Sequence, residues 1–117
     1  MDCRIVLGVK PHLKIYTLPE TNGDTVIQGL DSLVIRCCKY YTAGARFAKW
    51  RSPFIIDAEK GCPTNLDIKA NMHNQARYAL ICQSEGLVPI VEPDVTLKGL
   101  HTLKYAILIH CNFGMHF

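Results

Sequence analysis

No stretch of the 117 residues stays apolar for the roughly 18–20 positions that a bilayer-spanning helix needs, so no membrane span is expected. No block of Lys and Arg occurs, nor any RNA- or DNA-binding fingerprint. With 13 basic and 10 acidic residues, the net charge of +3 is too diffuse for a nucleic-acid partner but suits an anionic small molecule. Neither G-x-x-x-x-G-K nor G-x-G-x-x-G is present, which removes nucleotide-binding readings. There is no C-x-x-C among the six cysteines. Cys37 and Cys38 are adjacent, and Cys37, Cys38 and Cys82 fall in helix-like segments, so reduced thiols in a cytosolic protein are expected. The opening "MDCRIVLGVK" carries an acid at position 2 and no small-residue cleavage pattern, so a secretory leader is not expected.

What is present is ordinary globular composition, 49% hydrophobic and 20% charged, enough for one domain with a modest core. Three runs read as buried strands: 4–10 (RIVLGVK), 45–51 (ARFAKWR) and 87–93 (LVPIVEP). Their near-continuous apolar character is that of a parallel sheet covered on both faces. Between them, periodicity predicts a helix over 32–43 with Leu33, Val34, Cys37, Cys38 and Tyr41 on one stripe. Asp31 is its expected N-cap, and Gly44 its closing residue. A second helix is predicted over 65–85, opened by Thr64 and Asp67 as a capping box and closed by Gly86. Its expected inner face is Ile68, Met72, Ala76 and Ala79. The order is strand, loop, helix, strand, loop, helix, strand: two β-α-β crossovers, compatible with a doubly wound sheet or a β/α barrel.

In both architectures chemistry gathers beyond the carboxyl ends of the strands, and the charged residues fall there. Lys10 ends the first run, Lys49 and Arg51 the second, Glu92 and Asp94 the third. Because side chains repeat every second residue, Lys49 shares a face with Arg51 and Phe47, and Glu92 with Ile90 and Asp94. Strands also become polar simply where they reach water. Against that, a charge on the inward face of a buried strand must be paired or employed. Three cations with a carboxylate suit a phosphorylated substrate that needs one proton-transfer group. Trp50 is expected to pack against helices on the opposite side, with Arg46 as a helix-facing salt-bridge partner.

At these residues the sequence resembles a known family. "TNGDTVIQGLDSL", "RCCKYYTAGARFAKWR", "ARYALICQ" and "LVPIVEPD" are similar to the class I fructose-bisphosphate aldolases, nearly colinearly from about Ile5 to Val95. The resemblance implies an α/β fold, a partial TIM (β/α)8 barrel corresponding to the third, fourth and fifth strands of eight. It implies a cytosolic homotetramer in the full-length family, which cleaves fructose 1,6-bisphosphate into two triose phosphates through a lysine Schiff base, with no metal and no cofactor. Carried onto this chain, Lys10 matches a lysine near the substrate phosphate. Lys49 matches a lysine beside the Schiff-base amine that positions substrate and stabilises developing charge. Arg51 matches an arginine contacting substrate hydroxyl or phosphate, and Glu92 the glutamate that shuttles protons during iminium formation.

The departures are specific. Asp94 stands where the family has a second glutamate, one methylene longer. Lys10 continues into "PHLK" where the family has a valine–aspartate–lysine–glycine turn, Ser52 and Pro53 differ, and residues beyond about Ala106 do not follow the family. The Schiff-base lysine belongs on a strand after "LVPIVEP" that these residues do not include, and the family's aspartate base on a strand before "RIVLGVK". The sequence is therefore expected to be a single partial barrel domain, inactive in isolation. The alternative is a truncated product acting at most as a binding or assembly module. His110, Cys111 and His116 near the end are read as incidental, with no metal site expected, and His12 and His101 as loop residues.

Overall fold

The computed structural model describes residues 5–57 and 59–97. Seven elements follow one another: β1 (Leu7–Val9), β2 (Ile15–Thr17), β3 (Thr25–Ile27), α1 (Leu33–Thr42), β4 (Ala45–Ile56), α2 (Asn65–Ser84) and β5 (Val88–Leu97). β1, β4 and β5 form one parallel sheet in the order β1-β4-β5, while β2 and β3 form a separate antiparallel pair. The two helices lie in the connections between parallel strands, as the sequence pattern requires. Cys3, His101, His110, Cys111 and His116 lie outside the described residues.

β4 carries the fold. From Ala48 to Ile56 its even-numbered side chains are buried and its odd-numbered ones half-exposed. The buried set, Ala48, Trp50, Ser52, Phe54 and Ile56, faces the helices. Trp50 stacks on Tyr78 of α2 with ring centroids 5.1 Å apart, and Leu33, Cys37, Ala45, Cys82 and Leu87 complete that core. Phe54, Ile56 and Ile68 form a second cluster further along the strand. The Tyr78 hydroxyl lies 2.8 Å from the Ala48 carbonyl and 2.9 Å from that of Ile90, and accepts from the Ile90 N–H at 3.1 Å. One phenol thus clasps neighbouring strands from the helix layer, and burial pushes its pKa well above the ordinary phenol range.

The helices differ from expectation in which face they bury. In α2 the inner stripe is Asp67, Ile68, Asn71, Gln75, Tyr78 and Cys82, and Ala76 is exposed. The stripe is largely polar because it meets backbone as well as side chains: Asn71 Nδ2 donates to the Thr25 carbonyl at 2.8 Å. In α1 only Leu33 and Cys37 are buried, and Val34, Cys38 and Tyr41 face outward. Asp31 does not cap α1. Ser32 takes the N-cap position at φ 58 with no side-chain cap, and Arg36 instead binds the carbonyls of Pro11, Gly29 and Asp31. Thr64 caps α2 as expected, accepting from the Asp67 N–H at 3.1 Å. Gly44 and Gly86 end the two helices at positive φ, where a side chain would be strained.

The β2–β3 hairpin occupies what the sequence pattern leaves as a loop. Its strands are three residues each and β2 is wholly exposed, so no apolar alternation announces them. Arg46, expected to pair with a carboxylate, lies over the Tyr41 ring at 3.9 Å and donates to the Tyr41 and Ala45 carbonyls. Cys37 and Cys82 meet between the helices with sulfurs 3.8 Å apart. Burial raises both thiols, Cys82 to about 12 with the neighbouring Cys37 adding to the shift, so neither is a reactive thiolate at neutral pH.

Candidate active site

The odd-numbered residues of β4 make the other face. Phe47, Lys49, Arg51 and Pro53 project from it, level with Val88, Ile90, Glu92 and Asp94 of β5 respectively. Each cation therefore has a carboxylate two residues further along the neighbouring strand. Long side chains bridge that diagonal: Lys49 Nζ lies 3.2 Å from Glu92 Oε2, and Arg51 Nε lies 2.6 Å from Asp94 Oδ2. Lys49, Arg51, Glu92 and Asp94 thus stand on one side of the sheet, but midway along two adjacent parallel strands rather than at their ends as expected, because β4 runs on to Ile56 and β5 to Leu97. The shorter Asp94 reaches its partner at hydrogen-bond distance.

These pairs contribute little to holding the fold together. Their side chains are 35–42% exposed, and ion pairs of that exposure are worth about 0–1 kcal/mol. Four charges are instead held in a fixed array that an incoming anion can enter by exchanging partners. Glu92 Oε2 is enclosed and makes no hydrogen bond among the described residues, so the Lys49 charge alone compensates it. A carboxylate placed so is suited to accepting a proton from a neighbouring hydroxyl.

Lys10 approaches from the other side of β4. Val9 pairs with Ala48, so Lys10 comes level with Lys49, and the two line an open hollow of about 290 Å³ with Gly8, Val9 and Phe47. Any side chain at Gly8 would need the Phe47 ring to move. A Cβ would stand 2.2 Å from the Phe47 ring, which lies across the strand at that point. Lys10 is exposed and makes no ion pair among the described residues. Every residue singled out in the sequence for chemistry thus lies on or beside this face. The Lys49–Glu92 and Arg51–Asp94 contacts are direct, and Lys10 shares the hollow with Lys49.

Sequence reasoning missed His12. Its ring packs edge-on to Trp50 with centroids 6.1 Å apart and bonds the backbone of Lys49. Burial lowers its basicity and the charges of Lys10, Arg51 and Lys49 lower it further, against the opposing backbone bond. The residue sits in a three-residue step after Val9 with no periodicity, and only its position after Lys10 hinted at it.

Comparison with known proteins gives this geometry a context. The family model for fructose-bisphosphate aldolase class-I matches residues 1–112. The fructose-bisphosphate aldolase of Dictyostelium discoideum is 52% identical over 101 residues, covering 86% of this chain and 28% of the relative. Fructose-bisphosphate aldolase 5, cytosolic, of Arabidopsis thaliana is 50% identical over 104 residues, covering 89% of this chain and 28% of its own length. The solved structure of fructose-bisphosphate aldolase from Plasmodium falciparum, in complex with TRAP and a small-molecule inhibitor, superposes with a TM-score of 0.89 at 40% identity. It covers 96% of this chain and 33% of that one. The chain spans about 28% of the length of these curated relatives.

Proposed function

Because this chain belongs to the class-I fructose-bisphosphate aldolase family, we propose that its charged sheet face is part of an aldolase bisphosphate pocket, three strands of a (β/α)8 barrel. The reaction is cleavage of fructose 1,6-bisphosphate to dihydroxyacetone phosphate and glyceraldehyde 3-phosphate through a lysine imine. The observation that carries this reading is the pair of cation–carboxylate contacts, Lys49–Glu92 and Arg51–Asp94, on one face midway along two adjacent parallel strands. Lys10 and Arg51 take the anionic phosphate oxygens, Arg51 being steadied by Asp94 until substrate arrives. Lys49 orients the sugar. As a cation beside the imine-forming amine, it also holds more of that amine unprotonated. Glu92 relays the protons that carbinolamine dehydration requires.

The nucleophilic lysine stands on a strand beyond these three, so the 117 residues by themselves bind but do not form the imine. Incubation with fructose 1,6-bisphosphate and borohydride followed by mass spectrometry gives the unmodified mass. A reduced adduct together with released triose phosphate would show that a lysine within these residues serves as nucleophile. In the assembled enzyme we assign a cytosolic location, in keeping with the cytosolic Arabidopsis thaliana relative, and a homotetrameric state, which the family resemblance implies.

A second reading, assembly without catalysis, is favoured by one feature. Ile5, Val6 and Leu7 near β1, and Val88 and Ile90 on β5, are exposed apolar residues at the two edges of a three-stranded sheet. Such edges pair readily with further strands. Sedimentation separates the readings: association that leaves ligand binding intact supports the pocket, and association without any ligand binding supports the module alone.

A further inference from the structure

Lys49 and Arg51 are held by carboxylates of β5, whereas Lys10 makes no ion pair among the described residues, although it lines the hollow with Lys49. The sheet does not fix it either. β1 ends at Val9, and Pro11, directly after Lys10, has no N–H with which to continue the ladder on β4. The backbone that carries Lys10 to the hollow must be held from elsewhere.

That hold comes from α1. Near the start of the helix, Arg36 Nη1 donates to the Pro11 carbonyl at 2.6 Å. Its Nη2 donates to the carbonyl of Gly29 and, at 3.4 Å, to that of Asp31. One planar fork thus ties the residue after Lys10 to the turn that enters α1. A lysine ammonium, a point charge on a flexible stem, would not reproduce that fork. The two joined segments are also in close contact. Pro11 is fully buried, the Leu13 N–H donates to the Gln28 carbonyl at 2.7 Å, and a Cβ on Gly29 would stand 3.0 Å from the Leu13 nitrogen. Of these anchors, the Arg36 bond to Pro11 is the hydrogen bond nearest Lys10 along the chain. All three Arg36 partners are backbone carbonyls, and no carboxylate pairs with it among the described residues. Its charge is therefore used to shape a loop.

We propose that Arg36 is a positioning residue for the anion subsite: by holding the Pro11 carbonyl it fixes Lys10 beside Lys49, without itself touching the ligand. This rests on the reading of the face as a sugar-phosphate pocket and adds to it the residue that keeps Lys10 in place. With Lys10 released, a ligand would have to order that segment as it binds, and the ordering would be subtracted from its affinity.

The test is a double-mutant cycle in the full 117-residue chain, with fructose 1,6-bisphosphate affinity measured by calorimetry. Lys10→Met is expected to weaken binding about tenfold, the loss of one charge-assisted contact. Arg36→Met should weaken it about three- to tenfold, as expected when binding has to order one more side chain and its backbone. Arg36→Lys keeps the charge but not the fork, and should also weaken binding, by a smaller factor. It separates loss of the fork from loss of charge, and supplies the comparison if Arg36→Met does not fold. In the Lys10→Met background neither Arg36 substitution should weaken binding further, because Arg36 acts only through Lys10. A merely structural role would lower affinity by the same factor in both backgrounds. That additivity, or native affinity in Arg36→Lys or Lys10→Met, overturns the role of Arg36 and leaves the pocket reading standing. No binding by the native chain overturns both.

Discussion

Replacing Asp67 by asparagine is expected to remove most of the chain's loss of stability between pH 5 and pH 8. Asp67 is 1% exposed on the inner face of α2, and its carboxyl accepts from Asn71 Nδ2 at 2.6 Å. It also bonds Asp24, another buried acid, whose Oδ2 accepts from the Thr64 hydroxyl at 2.5 Å. Two carboxyl groups in contact out of water cannot both be charged. Burial, then the charge of Asp24 and the bond to it, push Asp67 up to about 8, against the opposing bond from Asn71. The folded state holds this proton more tightly than the unfolded chain, whose aspartate titrates near 3.8. The contribution is therefore complete below about pH 4 and is lost as pH rises towards 8. At about 1.4 kcal/mol per pH unit of separation, the loss amounts to several kcal/mol. Urea midpoints measured at pH 5 and pH 8 should fall steeply in the native chain and much less in Asp67→Asn. Parallel falls in the two would mean that the acid pair does not share a proton.

Trp50→Ala is expected to abolish cooperative folding. The indole is fully buried, stacked on Tyr78, edge-on to His12, and central to the larger core cluster. Emptying a site of that size costs about 3–5 kcal/mol, a large share of the 5–15 kcal/mol that small domains possess. Trp50→Phe should be much milder, because it keeps a ring against Tyr78 and deletes an indole N–H that has no partner among the described residues. Thermal melting followed at 222 nm distinguishes them: a cooperative transition retained in phenylalanine and lost in alanine. An alanine variant melting within a few degrees of the native chain would contradict the central place given to Trp50.

The parallel strands were legible as near-continuous apolar runs separated by helical patterns, and the charged face as period-two alternation along one strand. "FAKWR" places Lys49 and Arg51 together and Trp50 opposite whatever the rest of the chain does, and β4 keeps that alternation to Ile56. The diagonal pairing with Glu92 and Asp94 was not legible. It depends on the register between β4 and β5, which no local pattern encodes. The inner face of α2 misled for a different reason. Apolar periodicity pointed to Met72 and Ala76, whereas Asp67, Asn71 and Gln75 are turned inward, Asp67 and Asn71 to meet Asp24 and the β3 backbone. Polar residues that satisfy one another across elements are invisible to a hydrophobic count. The hairpin escaped because its strands are only three residues long, and exposed β2 is held to β3 by backbone bonds, flanked by Gln28 N–H to the Lys14 carbonyl at 2.8 Å. His12 escaped because its placement comes from Arg36 and Gly29, both distant from it in sequence.

The most direct measurement is a titration of the ¹⁵N-labelled chain with fructose 1,6-bisphosphate, observing the side-chain signals of Lys10, Lys49 and Arg51. Saturable shifts at all three are predicted, with affinity reduced about tenfold in Arg51→Met and again in Lys49→Met, as expected when one charge-assisted hydrogen bond is lost. Undisturbed signals in a folded chain, or native affinity retained in both variants, would mean that this face does not receive the sugar phosphate.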